Sequence, residues 1–533
     1  MRKVRAALVV GACLSWCAQY APASTLHIDA SLGTDSPACG VAVGAGACQS
    51  IGYAVGTRAA ANDSIVVAAG TYHEHVTINV AGLTLLGAQA GVDARTRSAA
   101  SESILDGATT ALDTGISVNA DNVTIDGFTI QNYNGGGAAF GYGIVQAGTV
   151  SGVHVLNNVL RANGYTGLYM GCAGVTACIA RHNLFDANQT AGGGGDGIYN
   201  DFGTVNVLID ANRFTHHVNG SVIITGVAST TQDNITISNN DSVDDGLIAL
   251  FGVTNATIFN NTATNPVAGI RVDGSQHVVV SSNTVIGGPR TTYYAFRASD
   301  NNGFPNPVDQ VAVTGNTFLA SNFGVLATNN FASPLDPTQG PIFANASSLT
   351  LRCNRIVGNA SGGLLNADTT HQVAATQNWW GCNAGPNQPS CDSASGGGTN
   401  PWLQLRLGAT PNPVVLGSTA QVTASLNTDS SGAPATCSLA DLTPVAFTAP
   451  AGLSNISNHT TAGSATATYT PTGAGVVAVG VHVDGQEVDL QVTAVAPAAP
   501  GPPAPTPALS RLAMLLLTLL VVASAGAYAN KRI

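Results

Sequence analysis

The chain has 533 residues, of which only 9% are charged and 62 are glycine, a length that calls for several modules and not one compact core. Lys+Arg 18 against Asp+Glu 29 gives a net charge of −11, which argues against a nucleic-acid-binding surface. Lys3 and Lys531 are the only lysines, so chemistry in the body of the chain cannot rest on a catalytic lysine.

The N-terminus reads as an export signal. Arg2, Lys3 and Arg5 make a positive start, an apolar run follows through Leu14, and Ala21-Pro22-Ala23 offers small residues for cleavage. Residues 1–23 are expected to be removed. The rival reading is a lipoprotein signal ending at Cys13, but that cysteine falls early. The remaining cysteines fit an oxidising compartment. Cys39 and Cys48, Cys172 and Cys178, and Cys382 and Cys391 lie close in sequence and are expected to clip small loops. Cys353 and Cys437 are left over, either paired across a module boundary or free. No Cys-x-x-Cys is present, so zinc and redox sites are not expected.

Residues 24–404 repeat a short pattern, apolar residues spaced by one and then an asparagine, as in Val153-His154-Val155-Leu156-Asn157-Asn158 and Val207-Leu208-Ile209-Asp210-Ala211-Asn212. The closing residues are Asn158, Asn183, Asn212, Asn240, Asn261, Asn283, Asn316, Asn354 and Asn378, at intervals of 21 to 38. A second short strand in each unit opens on glycine, as at Gly143, Gly167, Gly197 and Gly269. The periodicity is that of strands, with no 3.6-residue pattern. Units of this length describe a coil of short strands stacked ~4.8 Å apart, in which equivalent residues pile into ladders. An asparagine at the bend can hydrogen-bond along its own ladder.

On these residues the chain resembles the right-handed parallel β-helix, or pectin-lyase-like, superfamily. The passage Asn62-Asp63-Ser64-Ile65-Val66-Val67 through Gly70-Thr71-Tyr72 is similar to the opening rung of that family, and residues 49–60 stand where its N-terminal capping helix would be. Asn378-Trp379-Trp380-Gly381-Cys382 resembles a final-rung motif, whose aromatics would cover the open end of the apolar stack. The fold class implied is all-β. The superfamily hosts lyases, hydrolases, epimerases and non-enzymatic adhesins, so the resemblance leaves activity open.

Stacking then suggests which residues share an outer face. The third residues of the second strands are Tyr169, Tyr199, Ile223, Ile248, Arg271 and Arg297, and carboxylates Asp196, Asp244 and Asp245 stand just ahead of the strand openings. Tyrosines can stack on sugar rings and arginines can hold uronate carboxylates, so Tyr169, Tyr199, Arg271 and Arg297 are the substrate-binding candidates. Asp196, Asp244, Asp245 and Arg271 are the catalytic ones. Two rungs put Asp196 and Asp245 ~10 Å apart, at the outer edge of the ~6.5–9.5 Å of an inverting glycosidase pair. Gly195-Asp196-Gly197 and Gly269-Ile270-Arg271-Val272-Asp273 are similar to the first and last motifs of galacturonan hydrolases, while the Asp-Asp falls one rung late and Gly-His-Gly is missing. A lyase route would take Ca2+ on the Asp244/Asp245 cluster with Arg271 as base; no other cofactor and no dedicated metal site is expected. An aspartate before a glycine is also an ordinary turn residue.

Residues 405–496 lose the asparagine repeat and carry Val/Thr/Ala strands, which suit a small immunoglobulin-like sandwich acting as a stalk. A Pro-rich linker follows at 497–508, and then a tail at 509–533. The apolar run 512–529, followed by Lys531-Arg532, is expected to cross the bilayer as one C-terminal transmembrane helix. Pro507-Ala508-Leu509-Ser510-Arg511-Leu512-Ala513-Met514 resembles the IPTL class of exosortase-type sorting tails, which implies a membrane-bound processing protease as partner. The expected function is that of an exported, surface-routed protein that binds polysaccharide or matrix glycans. A hydrolase or lyase acting on uronate-containing glycans, and a structural component of an exopolysaccharide layer, are the alternatives.

Overall fold

The computed structural model describes residues 23–98, 101–108, 112–135, 140–189, 194–225, 230–300, 307–330, 341–499, 501–502 and 511–529. The expected signal lies outside these residues apart from Ala23. Residues 507–510 of the sorting motif and the terminal basic pair lie outside them as well.

Alternating Val, Ile, Leu and Thr give strands of two to seven residues, most with one face buried, and the chain winds them into a coil. Among the described residues, three parallel sheets of 14, 12 and 11 strands run its length. We call the 14-stranded sheet A, the 11-stranded sheet B and the 12-stranded sheet C. A typical turn passes through His154–Leu156 in A, Val159–Arg161 in B and Thr166–Tyr169 in C. Inside, like stacks on like. In sheet A, Val155, Ala180, Ile209, Ile237, Ile258 and Val280 stand in register and are fully buried, and in sheet B the rings of Phe185 and Phe214 lie 5.0 Å apart and nearly parallel. Strands of sheet C open on glycine because the corner leaves no room. A Cβ on Gly197 would meet Phe214 at 2.5 Å and the Ser221 carbonyl at 2.7 Å.

At the corner between A and B the nine asparagines stand in one buried column. The residue ahead of each turns left-handed, as at Asn157, His182, Ala211 and Asn239, and this aims the asparagine side chain along the axis. Oδ1 of Asn240 accepts from the backbone N–H (2.9 Å) and Nδ2 (3.1 Å) of Asn212, while its own Nδ2 donates to the Ile209 carbonyl (3.0 Å) and to Oδ1 of Asn261 (2.8 Å). The same set repeats down the column and binds each turn to the next.

The N-terminal end is closed by the short helical turns Ile51–Tyr53 and Ala54–Arg58, which bury Ile51, Ala54 and Val55. Glu74 holds this cap: its carboxylate accepts from the Ile51 and Gly52 N–H groups at 2.8 and 2.7 Å. At the other end, residues 403–495 form two four-stranded sheets packed face to face. This sandwich is docked on the coil. Trp380 belongs to the coil's apolar interior and Trp379 to the sandwich's. Asp484 of the sandwich pairs with Arg355 and accepts from Nε1 of Trp379 at 2.7 Å, and Cys353 is disulfide-bonded to Cys437 across the junction. The bonds Cys39–Cys48, Cys172–Cys178 and Cys382–Cys391 close small loops.

The expected transmembrane helix is corrected by the structure. The C-terminal helix is Arg511–Ala529, and among the described residues no helix is long and apolar enough to cross a membrane. Beyond Arg511 the helix offers 18 residues, about 27 Å at ~1.5 Å each, short of a ~30 Å hydrocarbon core, and Thr518, Ser524, Gly526 and Tyr528 interrupt its apolar run. The bilayer contact expected of residues 512–529 is withdrawn with it.

Candidate functional site

The outer face of sheet C carries a contiguous platform of six aromatic rings. Phe140, Tyr142, Tyr165, Tyr169, Tyr199 and Phe202 touch one another with centroids 5.3 to 6.3 Å apart. Phe140 and Phe202 are exposed and the four tyrosines half-buried. Tyr169 and Tyr199 are in register on adjacent strands. Both hydroxyls donate to Asp201, at 2.5 and 3.1 Å. Burial, reinforced by the nearby acidic charge, holds both phenols protonated well above the usual range and pushes Tyr142 up to about 12. The rings therefore present neutral, braced faces. Four of the six were not singled out in the sequence, because Phe140, Tyr142, Tyr165 and Phe202 lie in or beside the strand entries and exits and not at the third strand position. A cluster of four aromatics within 140–169 was the signal available.

Farther along the same face the register changes. Gly220 pairs with Leu247 but Val222 with Ile248, an irregularity that puts Ala249, and not Ile248, in line with Tyr199, Ile223, Arg271 and Arg297. Arg271 stands three strands beyond Tyr199, ~14 Å along the axis. Both arginines are occupied. Arg271 pairs with Asp273 and lies over the Phe251 ring at 4.4 Å, and Arg297, 5% exposed, lies 3.9 Å from the same buried carboxylate. Tyr169 and Tyr199 thus meet in one patch, and Arg271 and Arg297 form a separate one.

Asp244 and Asp245 do not reach this face. They lie at the corner between sheets B and C, where a second buried column runs parallel to the first: Tyr133, Asn163, Asn188, His217 and Asp245 follow one another. Asp245 is fully buried. Its Oδ2 takes Nδ1 of His217 at 2.7 Å, its Oδ1 accepts from the His217 N–H at 3.1 Å, and Nε2 of His217 meets Nδ2 of Asn188 at 3.0 Å. Asp245 is a rung of a ladder. Asp244 turns outward beside it, with φ of 51°, and is bonded through Oδ1 to Asn265.

Asp196 is different. It begins a sheet C strand beside Tyr165, is 1% exposed, and its Oδ1 has no hydrogen-bond partner. Burial, with a contribution from the Asp245 charge, raises its pKa to about 7. In register it faces Gly220, with Leu247 on the strand after. Among the described residues no second free carboxylate stands beside it, since Asp244 is bonded to Asn265 and Asp201 to Tyr169 and Tyr199. Asp245 is tied to His217, and Asp201 lies just past the far end of the same strand, five residues or ~17 Å away. Beside Gly195, whose Cβ would lie 3.3 Å from both Gln189 and Val218, an open cleft of ≈ 340 Å³ is lined by Gln189, His216, His217, Val218, Asp244, Asn265 and Arg290.

Among the described residues the group of ligand-type side chains close enough to share an ion is Asp35, Cys39 and Cys48. Its two sulfurs are spent in a disulfide. His73 and His75 bind the Asp106 carbonyl and the Ser117 hydroxyl, and Glu74 between them is committed to the cap.

The fold and this face define a right-handed parallel β-helix with a docked C-terminal sandwich. The family described as right handed beta helix region matches residues 114–285. No curated protein matches the chain. Among solved structures, a tailspike protein mutant of E. coli bacteriophage HK620 in complex with a pentasaccharide is similar at 12% identity and TM-score 0.44, over 81% of each chain. The surface adhesin PfbA of Streptococcus pneumoniae is similar at 14% identity and TM-score 0.31, over 50% of this chain and 79% of its own. A pectin methylesterase mutant in complex with a hexasaccharide is similar at 13% identity and TM-score 0.28, over 59% of this chain and 92% of its own.

Proposed function

We propose that this is an exported glycan-binding protein that holds polysaccharide on the outer face of sheet C without cleaving it. The six-ring platform is the observation that carries the reading. Half-exposed, neutral aromatic faces offer a sugar ring an apolar stacking surface with few rotamers to freeze, and Asp201 fixes two of them by their hydroxyls. Buried Asp196, with no free carboxylate beside it among the described residues, supports binding over hydrolysis, since hydrolysis of the common kind needs two carboxylates flanking the bond. Export is supported by the four disulfides and the N-terminal sequence.

The purified protein is expected to be retained by at least one polysaccharide in affinity electrophoresis, with no new reducing ends or unsaturated products. Tyr165 touches Phe140, Tyr142 and Tyr199, so Tyr165→Ala should weaken retention about tenfold, at ~0.5–1.5 kcal/mol per aromatic contact. Product release that disappears in Asp196→Asn would show an enzyme instead. Retention by no polysaccharide would remove the glycan reading altogether.

A further inference from the structure

The cleft at the corner between sheets B and C adjoins the aromatic platform. Gly194 lies against the Tyr165 ring and Gly195 against Gln189 and Val218, so these two glycines join the platform to the cleft. The walls are planar polar side chains. Arg290 is exposed, donates through Nη1 to the Asp244 carbonyl, and makes no ion pair among the described residues. Asn265 links the two turns: its Oδ1 accepts from the Arg290 N–H at 2.9 Å and its Nδ2 donates to Asp244. His216 leans on Asp186 through Nδ1 at 2.8 Å. Oε1 of Gln189 is buried without a partner, and Val218, 62% exposed, supplies an apolar edge.

The charges around this space decide what enters. Asp186, Asp244 and the buried Asp245 stand against Arg290 and the imidazoles of His216 and His217, in a chain of net charge −11. A carboxylate in the cleft would gain Arg290 but meet Asp244 at close range. A neutral ring would not: its hydroxyls can donate to Gln189 and Asp244 and accept from Arg290, with its C–H face on Val218.

We propose that the cleft lined by Gln189, His216, Val218, Asp244, Asn265 and Arg290 is a selecting subsite that takes a neutral hexose ring of the bound glycan and rejects a uronate. This rests on the glycan-binding reading and adds the substrate class to it. Because both Arg271 and Arg297 are taken up by Asp273, the outer face of sheet C provides no competing carboxylate clamp at those two positions.

The test compares affinities for neutral gluco-, manno- and galacto-oligosaccharides with that for oligogalacturonate of equal length. The native protein is expected to bind at least one neutral series tenfold or more tightly than oligogalacturonate. Arg290→Gln and Gln189→Ala should each weaken that neutral binding about tenfold. Asp244→Asn, which keeps the turn geometry, should raise the affinity for oligogalacturonate and narrow the preference. Tighter binding of oligogalacturonate by the native protein overturns the proposal. So do unchanged affinities in Arg290→Gln and Gln189→Ala while Tyr165→Ala still weakens binding, an outcome that leaves the platform reading standing. Absence of binding to every oligosaccharide overturns both.

Discussion

Asn240→Ala is expected to lower the unfolding free energy by about 3–5 kcal/mol, measured as a shift of the urea midpoint at unchanged slope. The side chain makes four hydrogen bonds inside the coil: two accepted from Asn212, one donated to the Ile209 carbonyl and one donated to Asn261. Each contributes about 0.5–1.5 kcal/mol net, but removing one partner leaves the other buried and unsatisfied, at about 1–3 kcal/mol per group. Asn212, Ile209 and Asn261 are all fully or nearly fully buried, so water cannot take over at those groups. Asn119 gives the control. It is exposed and its side chain makes a single hydrogen bond, from Nδ2 to Oδ1 of Asn79 at 3.0 Å, and Asn119→Ala should change stability by less than about 0.5 kcal/mol. Equal effects at the two positions would mean that the column does not hold the turns together.

The column was readable because one residue type recurs at one position of the pattern. The second column was not, although its geometry is the same. Its occupants change from Tyr133 through Asn163 and Asn188 to His217 and Asp245, so no single letter repeats. Beyond Tyr133, which joins through its backbone N–H, each side chain bonds to the neighbouring turn, and amides, imidazole and carboxylate can all perform that act. That is why Asp245 looked like a surface carboxylate in the sequence. The outer face was legible where strands stay in step and failed at one irregularity, Gly220 to Val222 against Leu247 and Ile248, because a one-residue slip moves a whole side-chain set. The C-terminal helix was misread for another reason: an uncharged run was taken as a full span, although the 18 residues beyond Arg511 fall short of a ~30 Å core.

Asp196→Asn should stabilise the protein at pH 8 by up to about 4 kcal/mol and leave it nearly unchanged at pH 4, the difference being read from urea melts of both forms across that range. The carboxyl is 1% exposed, with one oxygen lacking any partner, and burial first, then the charge of Asp245, lifts its pKa from 3.8 to about 7. The sign follows from proton binding. Between those two values the folded protein keeps this proton while the unfolded chain has released it, so stability is complete below pH 3.8 and is lost as the pH rises through about 7. The slope is about 1.4 kcal/mol per pH unit over that window. Asparagine has the same shape, carries no charge and forfeits no hydrogen bond from Oδ1, so the variant lacks this slope. Other raised carboxyls such as Glu74 and Asp392 are present in both proteins and cancel in the difference. Parallel stability curves for the two proteins between pH 4 and 8 would show that Asp196 is solvated and ordinary, and its place beneath the platform would then need another account.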